Sequence, residues 1–318
     1  MTTMKRYASG VLLAALLAGC TSATTGSPTP ATAAPALSGA LAGVAPAALG
    51  DNGDFEFGDT VRLEALAAAD KKVWGYEIGA GSGSLSTYRV LMTDALGIDL
   101  GKSTSILNVG APPATLVVVS GGQDAAAVTA AATKSGWKGS GTLIRAIDLT
   151  NAADETAVLT ISVPQIRPAG ADVVLGGARA DLSLAGSGKG AGSGAVLAAG
   201  TNCLGDVVMA QGTGFAEKAK QSPTAVGVRA TADKITSVIC RGAGSADEAA
   251  ALADRVRTDL ASGSSKASRR PYKQLLPGAV VEILSGTPSM VRITVDTTGQ
   301  TPDLVRRMLF QDDLPGGN

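Results

Sequence analysis

Five stretches in the last third of the chain decide the fold class: Ala225-Val226-Gly227-Val228, Ile235-Thr236-Ser237-Val238-Ile239, Ala246–Leu260, Val280-Val281-Glu282-Ile283-Leu284 and Met290-Val291-Arg292-Ile293-Thr294-Val295. Four of them are short β-branched runs, the pattern of strands. The one between them is helical: Ser245 can cap its start, and Glu248 stands where a capping box needs it. Thr301 and Pro302 then open a last helix through Phe310, with proline in its first turn. Short strand connections favour antiparallel pairing, so the class is α+β rather than doubly wound α/β.

Working outward, the first half repeats this order. Ile106-Leu107-Asn108-Val109 and Leu116-Val117-Val118-Val119 read as strands joined by a Pro112-Pro113 turn. A helix over Ala125–Ser135 follows, then strands at Leu143–Ile147 and Val158–Val163, then a less regular segment, Ala171–Leu182. The step from Val109 to Leu116 equals the step from Val228 to Ile235. These matches predict two tandem, duplicated ββαββα units at 54–186 and 195–318. Each is expected to build its own, mainly antiparallel sheet. Residues 187–194, rich in Gly and Ser, read as the linker. Upstream, Val73–Ile78 alternates like a strand, and Leu85–Leu96 has the pattern of an amphipathic helix closed by Gly97.

The N-terminus carries a different signal. Lys5 and Arg6 precede the apolar run Val11–Leu17, which is too short to span a bilayer and has the length of a signal-peptide core. It ends in Leu17-Ala18-Gly19-Cys20, which resembles the lipobox of bacterial lipoproteins. The resemblance implies removal of residues 1–19, a diacylglycerol thioether on Cys20 and often further acylation (palmitate is a typical chain). It also implies anchoring on the extracytoplasmic side of the cell membrane; two or three acyl chains hold a protein stably there. Residues 20–53, rich in Ala, Thr, Pro and Gly, read as a flexible tether. The Ala and Gly richness of the chain looks like exported lipoproteins of high-GC bacteria.

Composition narrows the function classes. The 318 residues are 45% hydrophobic and 17% charged, enough for a large core. Lys plus Arg and Asp plus Glu are 27 each, so the basic footprint of a nucleic-acid partner is missing. With His at 0, histidine triads and histidine metal sites are excluded. If Cys20 is lipidated, Cys203 and Cys240 are the remaining pair in an exported chain, where oxidation predicts a disulfide.

Few constellations suggest chemistry. Gly79–Ser84 could cradle an anion with backbone amides but lacks the dinucleotide spacing. Gly97–Ser103 falls one residue short of a P-loop, and Ser135-Gly136-Trp137-Lys138 lacks the partner motifs of penicillin-binding proteins. Asp51, Asp54, Glu56 and Asp59 crowd together without calcium-loop spacing and read as a solvated acidic segment. Trp74, Tyr76 and Trp137 read as core aromatics. Lys266, Arg269, Arg270 and Lys273 form a basic loop that could meet an anionic leaflet or cell-wall polyanion. No catalytic set, metal site or cofactor is expected. The sequence therefore predicts a membrane-anchored binding, scaffold or sensor lipoprotein, with a protein, cell-wall or hydrophobic ligand as partner. A carrier of a lipid or hydrophobic ligand and a carboxylate-dependent hydrolase are the alternatives.

Overall fold

Aliphatic and β-branched runs pair into one antiparallel sheet of 11 strands, with helices on both faces. The computed structural model describes residues 36–148, 150, 154–186 and 190–317. The strands are β1 (Phe55–Gly58), β2 (Ser105–Val109), β3 (Leu116–Ser120), β4 (Leu143–Ile144), β5 (Gln165–Ala169), β6 (Asp172–Gly176), β7 (Met209–Thr213), β8 (Thr224–Ala230), β9 (Ile235–Ala243), β10 (Val280–Leu284) and β11 (Ser289–Asp296). Across the sheet they run β10-β11-β9-β8-β7-β1-β2-β3-β6-β5-β4. The class is α+β, as the sequence implied.

The helices are α1 (Ala36–Ala42), α2 (Thr60–Ala69), α3 (Lys71–Trp74), α4 (Arg89–Leu96), α5 (Ala125–Lys134), α6 (Leu159–Ser162), α7 (Ala195–Leu204), α8 (Ala246–Ser262), α9 (Tyr272–Leu275) and α10 (Leu304–Phe310). Strand alternation sorts the core into two layers. Phe55, Phe57, Leu107, Val109, Ala210, Val238 and Cys240 face α1 and α7. On the other face, Ile106, Val117, Val119, Val173 and Leu175 meet α4 and α5. Val226, Ile239, Val291 and Ile293 meet α8, α9 and α10. Helix α8 starts as the sequence implied. Ser245 accepts the Glu248 amide at 3.1 Å, while the Glu248 carboxylate accepts the Gly244 amide at 2.8 Å. It buries Ala249, Leu252, Ala253 and Val256, one helical stripe. Gly97 closes α4 in the left-handed conformation, φ 67°, where glycine carries no steric penalty.

Several expectations are corrected. The two halves do not build separate sheets: β1 pairs with β7, fusing them into one. Val158–Val163 is not a strand, since Leu159–Ser162 is a helical turn; Gln165–Ala169 and Asp172–Gly176 supply the strands there. Val73–Ile78 is not a strand either. Asp70 caps a turn at Lys71–Trp74 through the amides of Lys72 and Val73, so a local cap overrides the alternation. The folded body begins before residue 54. Leu37, Leu41, Val44 and Leu49, expected in the tether, are buried, so residues 36–53 belong to the core. Within the expected linker, Ala191 is buried and Ala191–Ser193 forms a helical turn; residues 187–189 lie outside the described residues. From α1 onward the chain packs as one unit.

The Cys203–Cys240 disulfide is present and ties α7 to β9 across a separation of 37 residues. Loop closure of that length restricts the unfolded chain by about 3–4 kcal/mol. The double substitution Cys203→Ala, Cys240→Ala should lower unfolding stability by about that amount in urea titrations; an unchanged midpoint would contradict the entropic account.

Candidate functional site

At the centre of the sheet, on the second face, polar residues replace the apolar ones, beside α10 and next to Met209 and Val228 under α2 and α3. There, three adjacent strands place polar side chains in one row: Asn108 on β2 pairs with Glu56 on β1, and Glu56 pairs with Gln211 on β7. One position along, the Thr213 hydroxyl donates to the Asp54 carboxylate at 2.6 Å. Over this row lies a groove of about 420 Å³, rimmed by Leu309 and Phe310 at the end of α10. Phe310 is 69% exposed. A narrower slot of about 180 Å³ lies over the first half, lined by Leu85, Val117, Ile161 and Leu175 together with Asn108 and Thr115. Asn108 therefore borders both spaces.

Glu56 is held from three sides. The Gly81 amide donates to its Oε1 at 3.3 Å. The Gly83 backbone favours the charged form of the same carboxyl group. An Arg306 nitrogen lies 3.6 Å from Oε1. The glycine loop needs its glycines here: Gly81 and Gly83 have φ of 85° and 56°, and a Cβ on Gly83 would collide with the Asn108 amide. The loop read as a candidate anion cradle does hold an anion, the chain's own Glu56. Arg306 also donates to Glu77 at 3.2 Å, and Glu77 is 5% exposed. Burial pushes the Glu56 carboxyl above the ordinary carboxylate range, against the opposing pull of Arg306 and the two loop amides. Burial likewise pushes up Glu77, again against Arg306, with Asp303 and Glu56 adding to the rise.

The row holds unmet hydrogen-bonding capacity. Asn108 Oδ1, Gln211 Oε1 and Thr115 Oγ1 are shielded from solvent and have no partner among the described residues. An orphaned buried polar atom costs about 1–3 kcal/mol. Such atoms gathered beside two open spaces make this row the candidate site.

The residues singled out from sequence are distributed otherwise. Cys20 lies outside the described residues. Lys266, Arg269 and Arg270 are exposed in the turn between α8 and α9, and Lys273 is exposed on α9 itself. Buried Asp313 organises that turn, accepting from the Ser265 hydroxyl, from the Lys266 amide at 2.7 Å and from the Tyr272 hydroxyl at 3.1 Å. The acidic segment is split: Asp59 caps α2 by accepting the Arg62 amide at 3.1 Å, while Asp54 and Glu56 line the groove. No group of three or more potential metal ligands occurs among the described residues. Trp74 and Trp137 are buried as expected, whereas Tyr76 is 94% exposed. Ser135 bonds the Ala95 carbonyl at 2.7 Å, and Ser103 bonds Thr60 and the Leu100 carbonyl; both serve packing. As for a hydrolytic pair, Arg306 stands between Glu56 and Glu77, where such a pair needs substrate or water.

Asn108, Gln211, Thr115, Glu77 and Arg306 were not read as site residues. One signal existed: Asn108 interrupts an otherwise apolar strand. No family model, curated protein or solved structure matches this chain.

Two predictions follow from the geometry. Asn108→Leu and Gln211→Met remove an orphaned acceptor at nearly constant volume. Each should raise stability by about 1–3 kcal/mol in chemical denaturation of the ligand-free protein; a loss would show that the acceptors are satisfied. The second concerns pH. Glu56 and Glu77 titrate higher folded than unfolded, so the native state binds more protons and stability falls as pH rises from about 4 through the raised values. Wild type should therefore lose stability relative to Glu56→Gln, Glu77→Gln over that range; a difference of opposite slope would refute the assignment.

Proposed function

We propose that this chain is a lipid-anchored lipoprotein on the outer face of the cytoplasmic membrane whose body is a non-catalytic binding protein. The observation that carries the binding reading is the row Asn108, Glu56, Gln211 beneath an open groove, with two amide oxygens lacking partners. Evolution tolerates orphaned polar atoms where a ligand completes them. The anchor rests on Leu17-Ala18-Gly19-Cys20 alone. The basic turn with Lys266, Arg269, Arg270 and Lys273 supports a further contact with an anionic surface. The partner is a small molecule rather than nucleic acid, since the groove gathers carboxylates and the chain carries no net charge.

The reading includes an internal duplication, in a form different from two independent sheets. The first half orders its strands β1-β2-β3-β6-β5, with two-residue β4 added at the edge, and the second β7-β8-β9-β11-β10; each has a helix, α5 or α8, directly after its third strand. β1 and β7 pair antiparallel at the join. These correspondences support two copies related by an approximate two-fold axis through the groove. Superposing β2, β3, α5 and β6 on β8, β9, α8 and β11 tests it; a helix on the wrong face would reject it.

Two measurements test the function. Fatty-acid labelling in cells should be lost in Cys20→Ala, and equal label would reject the anchor. Mass spectrometry of solvent extracts should find a small molecule that co-purifies with wild type and is depleted in Asn108→Leu. A molecule retained equally by the variant would reject the groove as its site.

A further inference from the structure

The chemistry of the groove narrows its ligand. Its fixed charges are the carboxylates of Asp54 and Glu56, and no cationic side chain lines it among the described residues. The nearest guanidinium, Arg306, is committed to Glu56 and Glu77. Asn108 and Gln211 each keep an amide oxygen shielded and without a partner. Turning such an oxygen outward breaks no bond, and a donor-rich ligand would supply the bond it lacks. At the rim, the largely exposed Phe310 ring offers an electron-rich face. Carboxylate, carbonyl-type oxygens and an aromatic face together suit one ligand group, an ammonium, whose N–H donors and charge match all three. A carboxylate or phosphate would meet like charge. A neutral polyol would donate hydrogen bonds to the carboxylates but bring no charge to offset theirs. No group of three or more His, Cys, Asp or Glu side chains that could hold a metal ion occurs among the described residues.

We propose that the groove binds a small organic amine through its ammonium group, seated between the Asp54 and Glu56 carboxylates, the Asn108 and Gln211 amides and the Phe310 ring. This rests on the reading of the groove as a ligand site and adds the class of ligand.

The test is calorimetric titration of the full chain in detergent micelles with three probes of similar length: 1,5-diaminopentane, xylitol and pentanoate. Diaminopentane should bind, and more weakly as salt is raised. Xylitol and pentanoate should bind at least about tenfold more weakly, and diaminopentane affinity should fall about tenfold in Gln211→Met and in Asn108→Leu. Phe310→Ala should weaken it by a smaller factor, about threefold. Thermal melts confirm that each variant is folded. Absent diaminopentane binding overturns the proposal, and so does binding unaffected by both amide substitutions. Equal or tighter binding of xylitol or pentanoate, lost in Asn108→Leu, overturns the ammonium class while leaving the groove as a ligand site. The groove reading fails separately, through a co-purified ligand that Asn108→Leu retains.

Discussion

The pairing of β1 with β7 is the constraint on which the rest depends. β1 is only four residues long, Phe55-Glu56-Phe57-Gly58, yet it is hydrogen-bonded on both sides, to β2 and to β7. Strand alternation makes it do two things at once. Phe55 and Phe57 point into the core shared by α1 and α7. Glu56 points the other way, into the groove. A register slip of one residue would exchange these faces, burying a carboxylate among aromatics and exposing two phenyl rings. The pairing that fuses the halves is thus also the pairing that presents the site, so the site sits where neither half alone would have it.

Arg306 links this centre to the C-terminal helix. It comes from α10 and meets one carboxylate on the sheet and another at Glu77, just after α3. Both carboxylates are destabilised as anions by burial, and Arg306 is the main group that opposes this. The position of α10, and with it the rim residues Leu309 and Phe310, is therefore coupled to the ionisation of two acids beneath it. The glycine loop contributes from the opposite side. Only residues without a Cβ let its backbone approach Glu56 and Asn108 so closely.

The legible parts of the fold were those with local causes. Ser245 and Glu248 announced α8, Gly97 announced the end of α4, and the runs around Val117, Val226 and Ile293 announced strands buried on both faces. What was misread depended on partners distant in sequence. β1 alternates over only three residues, Phe55-Glu56-Phe57, and β7 carries Gln211 and Gly212, so neither sustains a strand pattern long enough to stand out. Val158–Val163 has the composition of a strand but turns as a helix, while neighbouring Gln165–Ala169, with its proline, takes the strand position. Local propensity loses there to tertiary placement. The site was less legible than the fold for the same reason. Glu56, Asn108 and Gln211 are far apart in the chain, and only cross-strand register makes them neighbours.

The polar row interrupts the apolar surface of the second face. Glu56 is buried there only with a guanidinium beside it, Arg306 of α10, because a buried carboxylate without a partner costs several kcal/mol. Apolar clusters flank the row: Ile106 and Val117 belong to one and Val226 and Ile239 to another, while Met209 on β7 packs in a third with α2 and α3. The three polar residues therefore shape the molecule as well as its chemistry. They line the groove, and α10 supplies both its rim, Leu309 and Phe310, and the guanidinium on Glu56. Replacing the row with aliphatic residues would remove the unpartnered amide oxygens together with the contacts that the proposed ligand needs. At these positions stability and the proposed site pull in opposite directions.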